Sequence, residues 1–399
     1  AIFFAARYFV PFYRSINSPS AYSFLEERFG KWARLYASSC YLLTQIARIG
    51  SVLFLLALPL NAMLGWSIPL IIILTGVCVV LYAALGGIKA IVYTDAIQGL
   101  ILIAGALACL VILMVSMPGG GNELLRIGME YDKFSLGSLG LTLNEPTFWV
   151  TLIYGLFINL QNYGIDQNYV QRYKTARNEK SARFSALFGG LLYVPVSLLF
   201  FFIGTALFVY YKTQPGLLPE TVTGDQVFPY FIVNGLPAGF TGLLIAAIFA
   251  AGMSTVSTSI NSSATVVLTD FFNVTSHSEA DEKRKMNILH ATSVILGALG
   301  VGVGLAMMSV KSALDAWWSM AAIFSGGMLG LFFLGYIARG IKGSYAFVGV
   351  ICGVLLIAWM SLSKQTVFHN YLTIVLGTLV IFTVGMLLAI AGSRLKKGN

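Results

Sequence analysis

Long apolar runs broken by short polar stretches dominate the pattern along the chain. A helix needs roughly 20 apolar residues, at 1.5 Å rise each, to cross about 30 Å of hydrocarbon. By that rule ten complete membrane-spanning helices are predicted, over residues 34–61, 66–86, 88–117, 148–171, 184–210, 238–270, 287–309, 314–336, 344–363 and 369–392. Residues 1–13 read as the end of one more, so upstream spans are expected to be missing. The opening stretch AIFFAARYFVPFYR lacks a basic lead and a small-residue cleavage site, which argues against a signal peptide.

Composition agrees with this pattern. Of 399 residues, 57% are apolar and only 10% charged, against about 25% charged in soluble proteins. Residues 1–399 are therefore expected to form a single all-α polytopic membrane domain, with loops too short to hold an attached ATPase. Lys and Arg support the layout. With Arg14 placed inside, Arg28, Arg34, Lys89, Arg172, Lys174, Arg177, Lys283, Arg284, Lys342 and Arg394 all fall on the same side, while Arg126, Lys133, Lys212, Lys311 and Lys364 face the other. Membrane topology thus accounts for the net charge of +9, and no nucleic-acid partner is expected. Cys40, Cys78, Cys109 and Cys352 lie in apolar stretches at unrelated spacings and read as packing residues. The one loop sequon, Asn273-Val274-Thr275, falls on the inner side, and short unglycosylated outer loops fit a bacterial inner membrane. Neither a Walker A sequence nor an H-E-x-x-H pair is present, so ATP coupling and intramembrane metal catalysis are not expected, and the chain does not read as an enzyme.

An ionised side chain in hydrocarbon costs about 2.5–3.5 kcal/mol, so it needs a partner, a cavity or a task. Arg48 lies near the middle of its span, beyond reach of the interface. Thr44, Gln45 and Ser51 share its broad helical face. Such a stripe either lines a wet cavity and grips a carboxylate, or holds Arg48 in a buried pair with Asp95 or against the carbonyls of a broken helix. Asp95 sits two turns into its helix with Gln98 one turn on; a cation or proton task is expected there, the alternatives being a pair with Lys89 or a cap on a neighbouring helix. Asp166 is four residues from the basic loop and reads as an interfacial partner of Arg172 or Lys174. Asn159 and Asn162, at i and i+3, are candidates for contacting a polar solute or for interhelical hydrogen bonding.

One helix is rich in hydroxyls. In Ala250-Ala251-Gly252-Met253-Ser254-Thr255-Val256-Ser257-Thr258-Ser259, helical spacing puts Ala251, Ser254, Thr255 and Thr258 on one face, with Ser257 at its edge. Hydroxyls and freed carbonyls suit a reversibly bound sodium ion. Small residues equally suit a tight packing seam.

The strings ALGGIKAIVYTDAIQG, QNYVQRY and AAIFAAGMSTVSTSINS resemble the sodium/solute symporter family, which includes sodium/glucose cotransporters and bacterial sialic acid transporters. The resemblance covers essentially the whole chain and is nearest in pattern to the sodium-coupled sialic acid transporters. It implies a leucine-transporter-like fold of two inverted five-helix repeats with a broken first helix and alternating access. It also implies one sodium site at the Ala251 carbonyl, Ser254 and Thr255, and a second at Asp95, Ser254, Ser257 and Thr258. Arg48 matches the position that binds the sialic acid carboxylate, and Asn159 a sugar-contacting amide. Asn162 stands where galactose carriers have a gating tyrosine, and an apolar residue near Leu191 stands where they have a lysine, which argues against a neutral hexose. The expected activity is sodium-coupled import of a small solute, sialic acid above all, by a monomer. Within the class, the alternatives are a neutral sugar, a polyol or another carboxylate; outside it, a channel or a membrane solute sensor.

Overall fold

The computed structural model describes residues 1–272, 279–310, 312–338, 340–363 and 367–397, without the side chains of 82, 84–95, 238, 279–280 and 393–397. Among the described residues it is entirely helical. The first helix, α1, joins Ile2–Phe4, a π-helical turn Ala5–Phe9 and Val10–Ser15; α2 is Ser23–Phe29 and α3 is Lys31–Leu64. Then come α4 (Ile68–Ser116), α5 (Gly120–Glu130), α6 (Phe148–Ile165), α7 (Gln167–Thr175), α8 (Glu179–Thr213) and α9 (Val227–Asn234). The last five are α10 (Ala238–Val266, extended by π-helical Val267–Phe272), α11 (Glu279–Met307), α12 (Ala313–Ile337), α13 (Gly343–Leu362) and α14 (Leu372–Lys397).

Eight helices among the described residues are long and apolar enough to cross a membrane. The departures from ten lie in two places. Residues 66–86 and 88–117, expected as two spans, lie in one unbroken helix, α4, whose Gly86 and Gly87 do not interrupt it. Its 49 residues would measure about 74 Å if straight, far more than one crossing needs. Its described halves have different neighbours. Ile72 and Val80 meet Gly304 and Gly297 of α11, whereas Gly105 lies against Leu244 of α10. The span expected at 148–171 is not continuous: it breaks at Asp166 into α6 and α7.

The break has a local cause. Asp166 adopts extended backbone (φ −74°, ψ 124°) and its carboxylate accepts from the Asn168 N–H, so it ends α6 and caps α7 at once. Gly164 beside it lies against Phe9, whose ring would be 2.5 Å from any Cβ placed there. Close glycine contacts also position the helix that carries Arg48. A Cβ on Gly50 would come within 2.5 Å of Val303 and 2.8 Å of the Gly304 nitrogen, and one on Gly300 within 2.2 Å of Ile49. Lacking these side chains, α3 and α11 approach closely, as helices in lipid do when small residues line the contact. Gly252 likewise lets α10 settle on Leu56 of α3.

The loops expected inside gather at one end. Arg14 donates to the Tyr173 and Ala176 carbonyls, Lys174 to those of Ile16 and Ser18, and Arg28 to those of Gly335 and Ala338. A buried acidic centre sits at the same end, on the π-helical tail of α10. The Asp270 carboxylate accepts from Arg34 at 2.7 and 2.9 Å, from Ser20 at 2.8 Å, from Ser38 at 2.5 Å and from Thr269 at 2.9 Å. Arg34 also reaches Glu26 of α2 at 2.5 Å. At the far end, Asp225 accepts from the Ala313 N–H and the Leu143 carbonyl from the His369 N–H, which joins the loops expected outside.

Candidate functional site

Four turns along α3 from Arg34 stands Arg48. Of the polar stripe around it, Thr44 and Ser51 turn back onto the carbonyls of Cys40 and Ala47, at 2.9 and 3.0 Å, and neither lines the cavity beside Arg48. Gln45 is fully buried and aims its Nε2 at Asp166 Oδ2, 3.5 Å away. Arg48 Nη2 lies 3.8 Å from the same oxygen. That is an ion pair, but too long for a hydrogen bond. The guanidinium also lies over the Trp317 ring of α12, 5.1 Å from its centre. Among the described residues Arg48 donates no hydrogen bond, so its five-donor fork is uncommitted.

The charge opposite Arg48 is thus Asp166, with its side chain only 1% exposed. The expected interfacial pairing of Asp166 with Lys174 does not form: the ammonium of Lys174 goes to the Ile16 and Ser18 carbonyls instead. Sequence distance had masked the pairing with Arg48, since Arg48 and Asp166 meet only when α3 packs beside the α6–α7 break. Asp95 lies within α4 by its backbone; its side chain is outside the described residues, as is that of Lys89.

Arg48, Asn168, Tyr169 and Arg172 line one side of a cavity of about 300 Å³, and Ser254, Thr255, Thr258 and Ser259 of α10 line the other. Thr255 Oγ1 donates to the Ala251 carbonyl at 3.0 Å, and Ser257 Oγ to that of Ser254 at 3.1 Å. A hydroxyl that donates in this way still has lone pairs for a cation. Thr258 Oγ1, Ser259 Oγ, Asn168 Oδ1 and Gln45 Oε1 are buried with no hydrogen-bond partner among the described residues. Each orphaned group costs about 1–3 kcal/mol. A packing seam has no reason to retain four of them, whereas a ligand-binding cavity does.

The structure therefore brings together Arg48, Ser254, Thr255 and Thr258, with the Ala251 carbonyl one turn back and Ser257 buried behind. Asn159 is not brought to them: its Nδ2 bonds the Gly155 carbonyl at 2.7 Å, and it lines a separate cavity of about 210 Å³ with Tyr163, Tyr193 and Ile2. Asn162, half-buried on α6, lines neither cavity. Among the described residues no three His, Cys, Asp or Glu side chains come together, so the oxygens facing the cavity on α10 are neutral hydroxyls. Sequence reasoning missed Asn168, Tyr169, Ser259 and Trp317. A usable signal existed for the first two in Gly164-Ile165-Asp166, where a glycine followed by a capping residue marks a helix stop and restart.

A profile of the sodium:solute symporter family matches residues 1–353. The chain belongs to this family. Among its relatives, the sodium/sialic acid symporter NanT of Aliivibrio fischeri (strain ATCC 700601 / ES114) is 33% identical over 385 residues, which are 96% of this chain and 76% of that protein. The sodium/sialic acid symporter SiaT of Proteus mirabilis (strain HI4320) is 32% identical over 351 residues, 87% of this chain and 71% of that one. The solved substrate-bound outward-open structure of a Na+-coupled sialic acid symporter covers 98% of this chain and is itself covered over 82%, with a TM-score of 0.88 at 29% identity. In this symporter the helix broken at Asp166 is a discontinuous element of the kind found in transporter folds, and its second half lines the cavity beside Arg48.

Proposed function

We propose that the chain is a single transmembrane domain, acting as a monomer in a bacterial inner membrane, that imports sialic acid together with sodium by alternating access. One observation carries this: the uncommitted guanidinium of Arg48 and the hydroxyls of Ser254 and Thr255 open onto the same cavity. The first suits a carboxylate, which an arginine fork takes bidentately at about 2.7–2.9 Å. The second suits a small hard cation. A cavity of about 300 Å³ lies at the lower end of the range for small-molecule sites, about 300–1,000 Å³.

Sodium is here a co-transported substrate. The Ala251 carbonyl with Ser254 and Thr255 would hold one ion, and Ser254, Ser257 and Thr258 with Asp95 a second. Each ion entering down the membrane potential contributes about 2.3 kcal/mol per 100 mV, which offsets the cost of moving an anion inward against it. Asn159 and Asn162 stand outside the cavity and have no part in holding the carboxylate.

The deciding experiment is sodium-dependent uptake of labelled sialic acid into proteoliposomes, with Arg48→Ala in parallel. Saturable uptake that supports counterflow and is lost in the variant is expected. Unchanged uptake in the variant sinks the carboxylate role, and non-saturable flux points to a channel.

A further inference from the structure

Asp166 has two differently committed oxygens. Oδ1 accepts the Asn168 N–H at 2.8 Å and so ties the carboxylate to the first turn of α7. Among the described residues Oδ2 is held only at longer range: Gln45 Nε2 is 3.5 Å away, at the limit of a hydrogen bond, and Arg48 Nη2 3.8 Å. A carboxylate this deeply buried is normally met by short charge-assisted bonds, as Asp270 is in the same protein. Asp166 instead provides Arg48 with a neutralising charge while leaving its donors empty.

A second carboxylate reaching Arg48 from the cavity would form the short forked pair that Asp166 does not form. Two carboxylates would then share one guanidinium and repel each other, and Asp166 is the one with a looser hold. Because Oδ1 is bonded to Asn168, any displacement of Asp166 acts directly on the α6–α7 break. We propose that Asp166 is an internal competitor for Arg48, displaced by the carboxylate of an incoming anionic substrate, and that this exchange transmits substrate recognition to the broken helix. A neutral sugar of the same shape makes no such exchange. A ligand shifts a conformational equilibrium only through interactions that differ between the two states, and the exchange supplies such a difference. Asp166 is thus a positioning residue that acts through Arg48.

The proposal rests on the reading of Arg48 as the carboxylate contact, and the test separates the two. Binding of sialic acid and of its uncharged methyl ester is measured on the purified full chain in saturating sodium. In Asp166→Asn the competitor is removed, and the acid is expected to bind about tenfold tighter while the ester is unchanged. Asp166→Glu brings the carboxylate nearer to Arg48, and the acid is expected to bind several-fold weaker, again with no change for the ester. This opposite sign keeps the proposal testable if the Asn variant does not fold. In an Arg48→Ala background neither change at Asp166 should alter acid binding. Acid affinity unchanged in both variants, acid and ester shifting together, or an effect persisting without Arg48 would each overturn the proposal. Arg48→Ala that binds the acid like the parent chain would instead overturn the reading beneath it.

Discussion

Helix α3 carries two arginines about four turns apart, each paired with a buried aspartate from elsewhere in the fold, and the two pairs are built differently. Arg34 meets Asp270 at 2.7 Å, and Ser20, Ser38 and Thr269 add their own donors, so nothing in that centre lacks a partner. Arg48 meets Asp166 at 3.8 Å, amid hydroxyl and amide oxygens that have none among the described residues. The first arrangement holds α2, α3 and the tail of α10 together. The second leaves donors and acceptors waiting around a cavity. Buried charge alone therefore does not distinguish the two centres; incomplete satisfaction beside a cavity does, and it is on this that the proposed site rests.

The largest effect is expected where satisfaction is complete. Asp270→Ala leaves Arg34 with Glu26 and the Thr269 carbonyl but without its buried carboxylate, and should lower stability by about 3–5 kcal/mol, seen as a marked drop in melting temperature of the detergent-solubilised protein. Melting like the parent would mean that the inner centre is not a clamp. Arg48→Ala should do the reverse, reducing uptake of sialic acid at least about a hundredfold, within the 2–5 kcal/mol expected for truncating a charge partner. Its melting temperature should fall much less than that of Asp270→Ala, since Arg48 donates no hydrogen bond among the described residues.

Smaller effects sharpen the contrast. Gly50→Ala drives a methyl into Val303 and the Gly304 backbone and should cost about 1–3 kcal/mol, while also weakening substrate binding because Arg48 lies on the same turn. Thr255→Ala should raise the sodium concentration for half-maximal uptake about tenfold, with sialic acid affinity at saturating sodium little changed, if the hydroxyl face holds the ion. Replacement of sodium by choline should abolish concentrative uptake in all of these proteins. Asn159→Ala should change uptake by only a few-fold, because its amide bonds its own helix and faces a different cavity; a loss as large as that of Arg48→Ala would extend the site to the second cavity.

Hydrophobic runs and the Lys and Arg bias were enough to predict the membrane class, most helix positions and which loops share an end. They rest on local length and on the energy of apolar burial, both readable one segment at a time. Arg48 and the hydroxyl helix were legible for a similar reason, as groups costly in lipid or unusual in composition. The division of 148–171 at Asp166 was not, because a single capping residue decides it inside an apolar run that otherwise reads as one span.

What the sequence by itself determined was an inventory: an arginine at mid-membrane, a hydroxyl-bearing face, and a carboxylate near the inner loop. Which of these meet was decided by tertiary packing. Gly50, Gly300 and Gly252 let α3 close on α11 and α10, and the α6–α7 break then sets Asp166 opposite Arg48 at a distance that neutralises the charge without saturating its donors. Helical periodicity fixes the face on which a side chain stands, but the distance from Arg48 to a partner far along the chain exists only after the helices have packed.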